Sequence, residues 1–204
     1  MRTLLALSRL IDGLSLYIGK ATMWVTLIVV FISAGNATVR KLLHTSSNAW
    51  LELQWYLFGV IFLMAAGYTL LKNEHVRVDI LAARLPRRKQ IYIEIFGVLF
   101  LLLPMCILIM VLSWPMFMES FVNHEMSSNP GGLIRWPAKI IIPIGFALLV
   151  LAALSHLIKC IGYLRGQCPD PREVNRGPSA EEQLALEIAQ ESQARETAQT
   201  GAGK

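Results

Sequence analysis

One stretch limits this chain more than any other. It is an apolar run from Trp50 to Leu71, a basic segment from Lys72 to Gln90, and a second apolar run beginning at Ile91. Runs of about 20 apolar residues have the length needed to cross ~30 Å of hydrocarbon as a helix. Hydrocarbon offers no water to the backbone N–H and C=O groups, so such a run has to satisfy them internally. Two further apolar runs flank this hairpin. The expected spans are therefore about 14–39, 50–71, 91–118 and 136–164. Composition agrees: 54% of residues are hydrophobic and 16% charged, where a soluble domain carries about 25% charged residues. The predicted fold class is an all-α membrane protein with four transmembrane helices and a short amphipathic interfacial helix between helices 2 and 3.

Local signals shape each segment. The first 20 residues are mildly amphipathic and broken by Arg9, Asp12 and Lys20. The apolar core behind them is too long and starts too late for a secretory signal, so an uncleaved first helix is expected. Between helices 2 and 3, Val78, Leu81, Ala82 and Leu85 fall at i, i+3, i+4 and i+7, one apolar stripe on a helix. Arg77, Arg84 and Arg88 gather on another face, the pattern of a helix lying flat among headgroups. Pro86 ends that helix and Pro104 predicts a kink in the third span. Asn129-Pro130-Gly131-Gly132 is a strong turn signal in the loop before the fourth span. Pro137 suits that span's first turn. The segment 165–204 is polar and poor in large apolar residues, which predicts a mostly disordered cytoplasmic tail with one short helix around 181–194.

The basic residues set an orientation. Two at the N-terminus (Arg2, Arg9), six in the central crossing (Lys72, Arg77, Arg84, Arg87, Arg88, Lys89) and four at or beyond the end of the last span (Lys159, Arg165, Arg172, Arg176) share one side. Only Arg40, Lys41, Arg135 and Lys139 lie on the other. The positive-inside rule then puts both termini in the cytoplasm of a multi-pass protein. The net charge of +5 is explained by this bias, and nucleic acid is not an expected partner.

Few residues offer chemistry. Ionisable groups inside spans are functional candidates; this chain has very few, and Glu52 and Glu94 sit one turn into helices 2 and 3. Both fit solvated or paired interface charges as well as contacts with another membrane subunit. Gln54 and Trp55 accompany Glu52. Of the four histidines only His156 lies within an expected helix, which argues against a haem held by facing histidines. Cys106, Cys160 and Cys168 show no paired spacing and read as packing residues or free thiols. Trp and Tyr near the span ends form an aromatic belt among membrane lipids. Gly59 and Ala66, seven apart, are small enough to seat a neighbouring helix. No phosphate loop, nucleophile elbow or zinc-ligand spacing is present. The residues therefore predict neither an enzyme nor a cofactor.

The segments SNAWLELQWYLFGVIFLMAAGYTLLKNEHVRVDIL and SSNPGGLIRWPAKIIIPIGFALLVL resemble the small membrane subunit of tripartite ATP-independent periplasmic (TRAP) transporters, in the branch named for mannitol and chloroaromatic compounds. The resemblance covers about Leu10 to Leu164. It implies a sodium-driven uptake system of a bacterial inner membrane. In that system a large membrane subunit moves the substrate, typically an organic acid, and a soluble periplasmic protein captures it. The small subunit would be a scaffold for both. On that resemblance Glu52, Gln54 and Trp55 stand at the periplasmic end, near the partners. Arg77, Asp79 and Arg84 fix the cytoplasmic crossing. Asn129, Pro130, Trp136 and Pro137 shape the second periplasmic loop. The reading of another class is a stand-alone membrane redox or assembly protein.

Overall fold

The computed structural model describes residues 2–44, 47–72 and 85–170, and residues 184–185 and 188–189 of the tail. The amphipathic crossing with Arg77, Asp79 and Arg84 lies outside the described residues, as does most of the tail. Among the described residues the chain is helical, with one isolated antiparallel bridge between Met126 and Ile134 and no strand.

Four helices are long and apolar enough to cross a membrane. They are α1 (Arg2–Leu43), α2 (Asn48–Lys72), α3 (Arg87–Val122) and α4 (Trp136–Leu164). Helix α1 is longer than its expected span, because the amphipathic N-terminal residues continue the same helix for 42 residues in all. Its threonines satisfy their hydroxyls locally: Thr22, Thr26 and Thr38 donate to the carbonyls of Ile18, Thr22 and Ala34. Such back-bonding hides a polar group where no water is available.

The expected irregularity at Pro104 takes a definite form. Proline has no N–H, and its ring collides with the carbonyl four residues back, here Phe100. Immediately before it, Gly97–Leu102 is a π-helical segment, and the Leu103 N–H reaches the Val98 carbonyl five residues away. The widened turn makes room for the proline ring, and α3 then continues through Pro115 to Val122.

Helix α4 is the centre of the bundle and packs against the other three, while α2 also packs on α1. Small residues permit this. Ala152 and Ala153 are buried in a core cluster with Leu70, Val98, Leu103 and Leu157. Gly145 lies against Leu63 of α2, and Gly67 lies against Ala152. Close approach through small residues is how helices gain packing energy when lipid removes any hydrophobic difference. The outward faces carry the large apolar side chains. Phe62 is 78% exposed and Trp24 71%, which suits hydrocarbon or a membrane partner rather than water.

Candidate functional site

The ionisable side chains gather at the two ends of the bundle. Residues 21–39, 53–71, 95–118 and 140–155 contain no Asp, Glu, Lys, Arg or His. One end holds the loop from 123 to 135, the other the start of α1 and the segment after α4.

At the loop end, Glu52 is the organising residue. It is only 4% exposed, although it is charged and lies one turn into α2. Its Oε1 accepts from the Ser127 hydroxyl and, at 2.9 Å, from Asn129 Nδ2. Its Oε2 accepts from the Leu133 backbone N–H at 2.7 Å. A carboxylate with both oxygens so occupied is stable away from water. Local sequence explains how the loop reaches it. The Gly132 N–H donates to the Asn129 carbonyl, and Gly131 has φ +72°, the left-handed geometry of a turn with proline second and glycine third. Gly132 has a different role. A Cβ there would lie 2.4 Å from Ser127 Cβ and 2.8 Å from Glu52 Oε2, so only glycine lets the carboxylate seat. Asn48 adds a second tie by donating to the Pro130 carbonyl at 2.9 Å.

Beside this clasp lies an ion cluster. Glu125 pairs with Lys139, and Arg135 Nη1 stands 3.6 Å from Glu125 Oε1. The hydrogen bond from Lys139 does most to hold the Glu125 carboxyl below the usual carboxylate range. Trp136 meets Phe121 edge to face with centroids 5.4 Å apart, and Phe117 and Trp114 continue the aromatic row down α3. Pro137 occupies the first turn of α4. Gln54 lines an open groove of about 570 Å³ with Ser33, Asn36, Arg40, Lys41 and His44 of the α1 side. Trp55 turns outward and is 65% exposed.

The other end is stitched differently. The Ser8 and Ser155 hydroxyls meet at 2.7 Å, Ser155 donates to Asp12 Oδ1 at 2.7 Å, and Lys159 pairs with Asp12 Oδ2 at 2.5 Å. These bonds join α1 to α4. Arg87, at the start of α3, grips the carboxylate of Asp170 with two guanidinium nitrogens, and Asp170 is 7% exposed. The segment after α4 thus folds back onto α3. Nearby, Glu94 of α3 faces His156 and Cys160 of α4.

The structure therefore brings Glu52, Asn129 and Pro130 together and places Trp136 and Pro137 at the root of the same loop. The contacts that Glu52 makes are within the chain. Gln54 and Trp55 stand on other faces of α2. Sequence reasoning missed Ser127 and the Leu133 N–H as partners of Glu52, the Glu125–Lys139 pair, and the Arg87–Asp170 grip. The turn at 129–132 was the available signal for the first of these. The rest depend on how the helices are registered.

Comparison with known proteins bears on the same residues. The family model described as "Tripartite ATP-independent periplasmic transporters, DctQ component" matches residues 26–162. That range includes α2, α3, the Glu52 clasp and nearly all of α4. No curated protein and no solved structure matches the chain. The match extends over well over half of the sequence, and the four apolar helices fit a multi-pass membrane protein. The chain belongs to the DctQ family, a component of a tripartite transporter and not an enzyme.

Proposed function

We propose that this chain is the scaffold subunit of a sodium-driven TRAP transporter, of the mannitol and chloroaromatic branch. It supports the large subunit, DctM, and the periplasmic binding protein, DctP, in uptake of an organic acid. In this reading it resides in a bacterial inner membrane with both termini in the cytoplasm, and the Glu52 clasp faces the periplasm.

The observation that carries the scaffold role is the confinement of ionisable groups to the two ends of the bundle. An ion-coupled pathway needs polar groups or broken helices near mid-membrane. Here four apolar segments fill that depth, the π-helical turn Gly97–Leu102 carries only apolar residues, and a core cluster between the helices is Leu, Val and Ala. Work on substrate and sodium then falls to the larger partner. The outward stripe of Trp55, Phe58 and Phe62 on α2, each more than half exposed, offers that partner or the surrounding lipid an apolar surface.

The test is affinity purification from the native membrane in mild detergent, with mass spectrometry of the companions. Recovery of a much larger multi-span protein in equal amount supports the scaffold role. Recovery of the chain alone, under conditions known to preserve membrane complexes, refutes it.

A further inference from the structure

Glu94, His156 and Cys160 converge where α3 and α4 pack together, toward the tail end of the bundle. His156 and Cys160 are four residues apart and share one face of α4. Glu94 reaches them from α3. Each offers one ligand atom, and the three atoms lie within 4.8 Å of one another. The side chains of His156 and Glu94 are 7% and 9% exposed, and Cys160 is fully buried.

The separations are informative. His156 Nε2 is 3.7 Å from Glu94 Oε2, Cys160 Sγ is 3.5 Å from Nε2, and Sγ is 3.9 Å from Oε2. A nitrogen–oxygen hydrogen bond closes to about 2.7–3.2 Å, so the imidazole and carboxylate stand apart by more than direct pairing needs. Zinc bonds of about 2.3 Å to sulfur, 2.0–2.1 Å to nitrogen and 2.0–2.2 Å to oxygen, at tetrahedral angles, put ligand atoms about 3.4–3.6 Å apart. The sulfur–nitrogen separation of 3.5 Å falls within that spacing, and the other two, 3.7 Å and 3.9 Å, lie a few tenths of an ångström above it. The donor set, one thiolate, one imidazole and one carboxylate, suits a borderline-soft divalent ion rather than calcium or magnesium, which prefer oxygen alone.

We propose that Glu94, His156 and Cys160 form a binding site for a divalent transition-metal ion of the zinc class, which clamps α3 to α4. On binding, Cys160 loses its thiol proton to solvent as the metal–sulfur bond forms. His156 binds through neutral Nε2 and Glu94 as the carboxylate. The thiolate and carboxylate charges match the two positive charges of the ion, so the buried site becomes neutral. This proposal is independent of the transporter reading.

The experiment uses the full chain, purified in mild detergent with a tag that contains no histidine, stripped with chelator and titrated with Co²⁺ alone. The expected result is saturation at one Co²⁺ per chain, with a thiolate-to-cobalt charge-transfer band. Cys160→Ala should abolish that band. His156→Ala and Glu94→Gln should each weaken Co²⁺ binding by more than about 100-fold, above the loss typical of supporting residues around a metal. Cys168→Ala and Cys106→Ala should leave binding unchanged. A wild-type chain with no saturable band overturns the proposal even if a variant fails to fold. So does a band that survives Cys160→Ala or disappears with Cys168→Ala.

Discussion

Gly145 sits where α4 crosses α2, and replacing it with alanine tests how the bundle is held. A Cβ there would lie 2.6 Å from Leu63 Cβ, 3.2 Å from the Leu63 carbonyl oxygen and 3.3 Å from its carbonyl carbon. Non-bonded carbons rest about 3.5–4.0 Å apart, so the two helices must part by about 1 Å along that line. The obstructing atoms belong to the backbone and Cβ of Leu63, which no rotamer change can remove. Overpacking of this kind costs about 1–3 kcal/mol. Alanine returns up to about 1 kcal/mol through its better helix propensity. From the middle of that cost, about 2 kcal/mol, the net loss is about 1–2 kcal/mol, which lowers the melting midpoint of a chain of this size by about 2–8 °C. Gly59 is the internal control. It lies within α2 and has nothing within 4 Å of its would-be Cβ. Thermal unfolding in one detergent, followed by circular dichroism, should separate Gly145→Ala from wild type and leave Gly59→Ala at or above it. Equal midpoints for the two variants would refute the packing argument.

Other expectations follow from the two polar ends. Glu125→Gln should cost stability at neutral pH and little in acid. The folded-state pKa of Glu125 is depressed below its ordinary 4.5. Its contribution is therefore full above that value and fades as pH falls through the lower folded one. Melting midpoints of wild type and Glu125→Gln that differ equally at about pH 7 and pH 3 would contradict this. Glu52→Ala should lower uptake while the subunit stays in the membrane, and should speed proteolysis within residues 123–135; unchanged uptake and cleavage would remove Glu52 from any role. Asp170→Asn should weaken the grip of Arg87 and raise the rate at which the nearby Cys168 thiol is alkylated, and an unchanged rate would show that the segment is held by other contacts. A single Ser47→Cys, in a background lacking the native cysteines, should label from the periplasm in intact cells. Labelling only after permeabilisation would invert the proposed orientation.

The helices were legible because lipid imposes a length and a hydropathy that local sequence must display. Four spans were expected, and four helices are long and apolar enough to cross a membrane. The start of α1 was harder. Arg9 and Asp12 look like interruptions, but Ser8 and Asp12 point at Ser155 and α4, so a tertiary contact decides what the local pattern leaves open. The same reason governs the clusters. His156 and Cys160 show their i, i+4 spacing openly, yet nothing near Glu94 announces that α3 will bring it to them. Glu52 could be singled out as a charge in an apolar helix. That its partners would be Ser127, Asn129 and the Leu133 N–H depends on a loop some 80 residues away, whose turn could be read but not its docking.

The length of α1 acts as a ruler set against the bilayer. Forty-two residues at 1.5 Å each make a rod of about 63 Å. A complete bilayer, headgroups included, is about 40–45 Å thick. Even at the 40° upper limit of ordinary helix tilt, the rod still projects about 48 Å along the membrane normal. Membrane thickness alone cannot absorb it, and at least one end has to stand clear of the headgroups. A continuous helix is stiff, so that protruding end moves with the buried part. Any soluble protein that grasps it feels the tilt of the whole subunit directly.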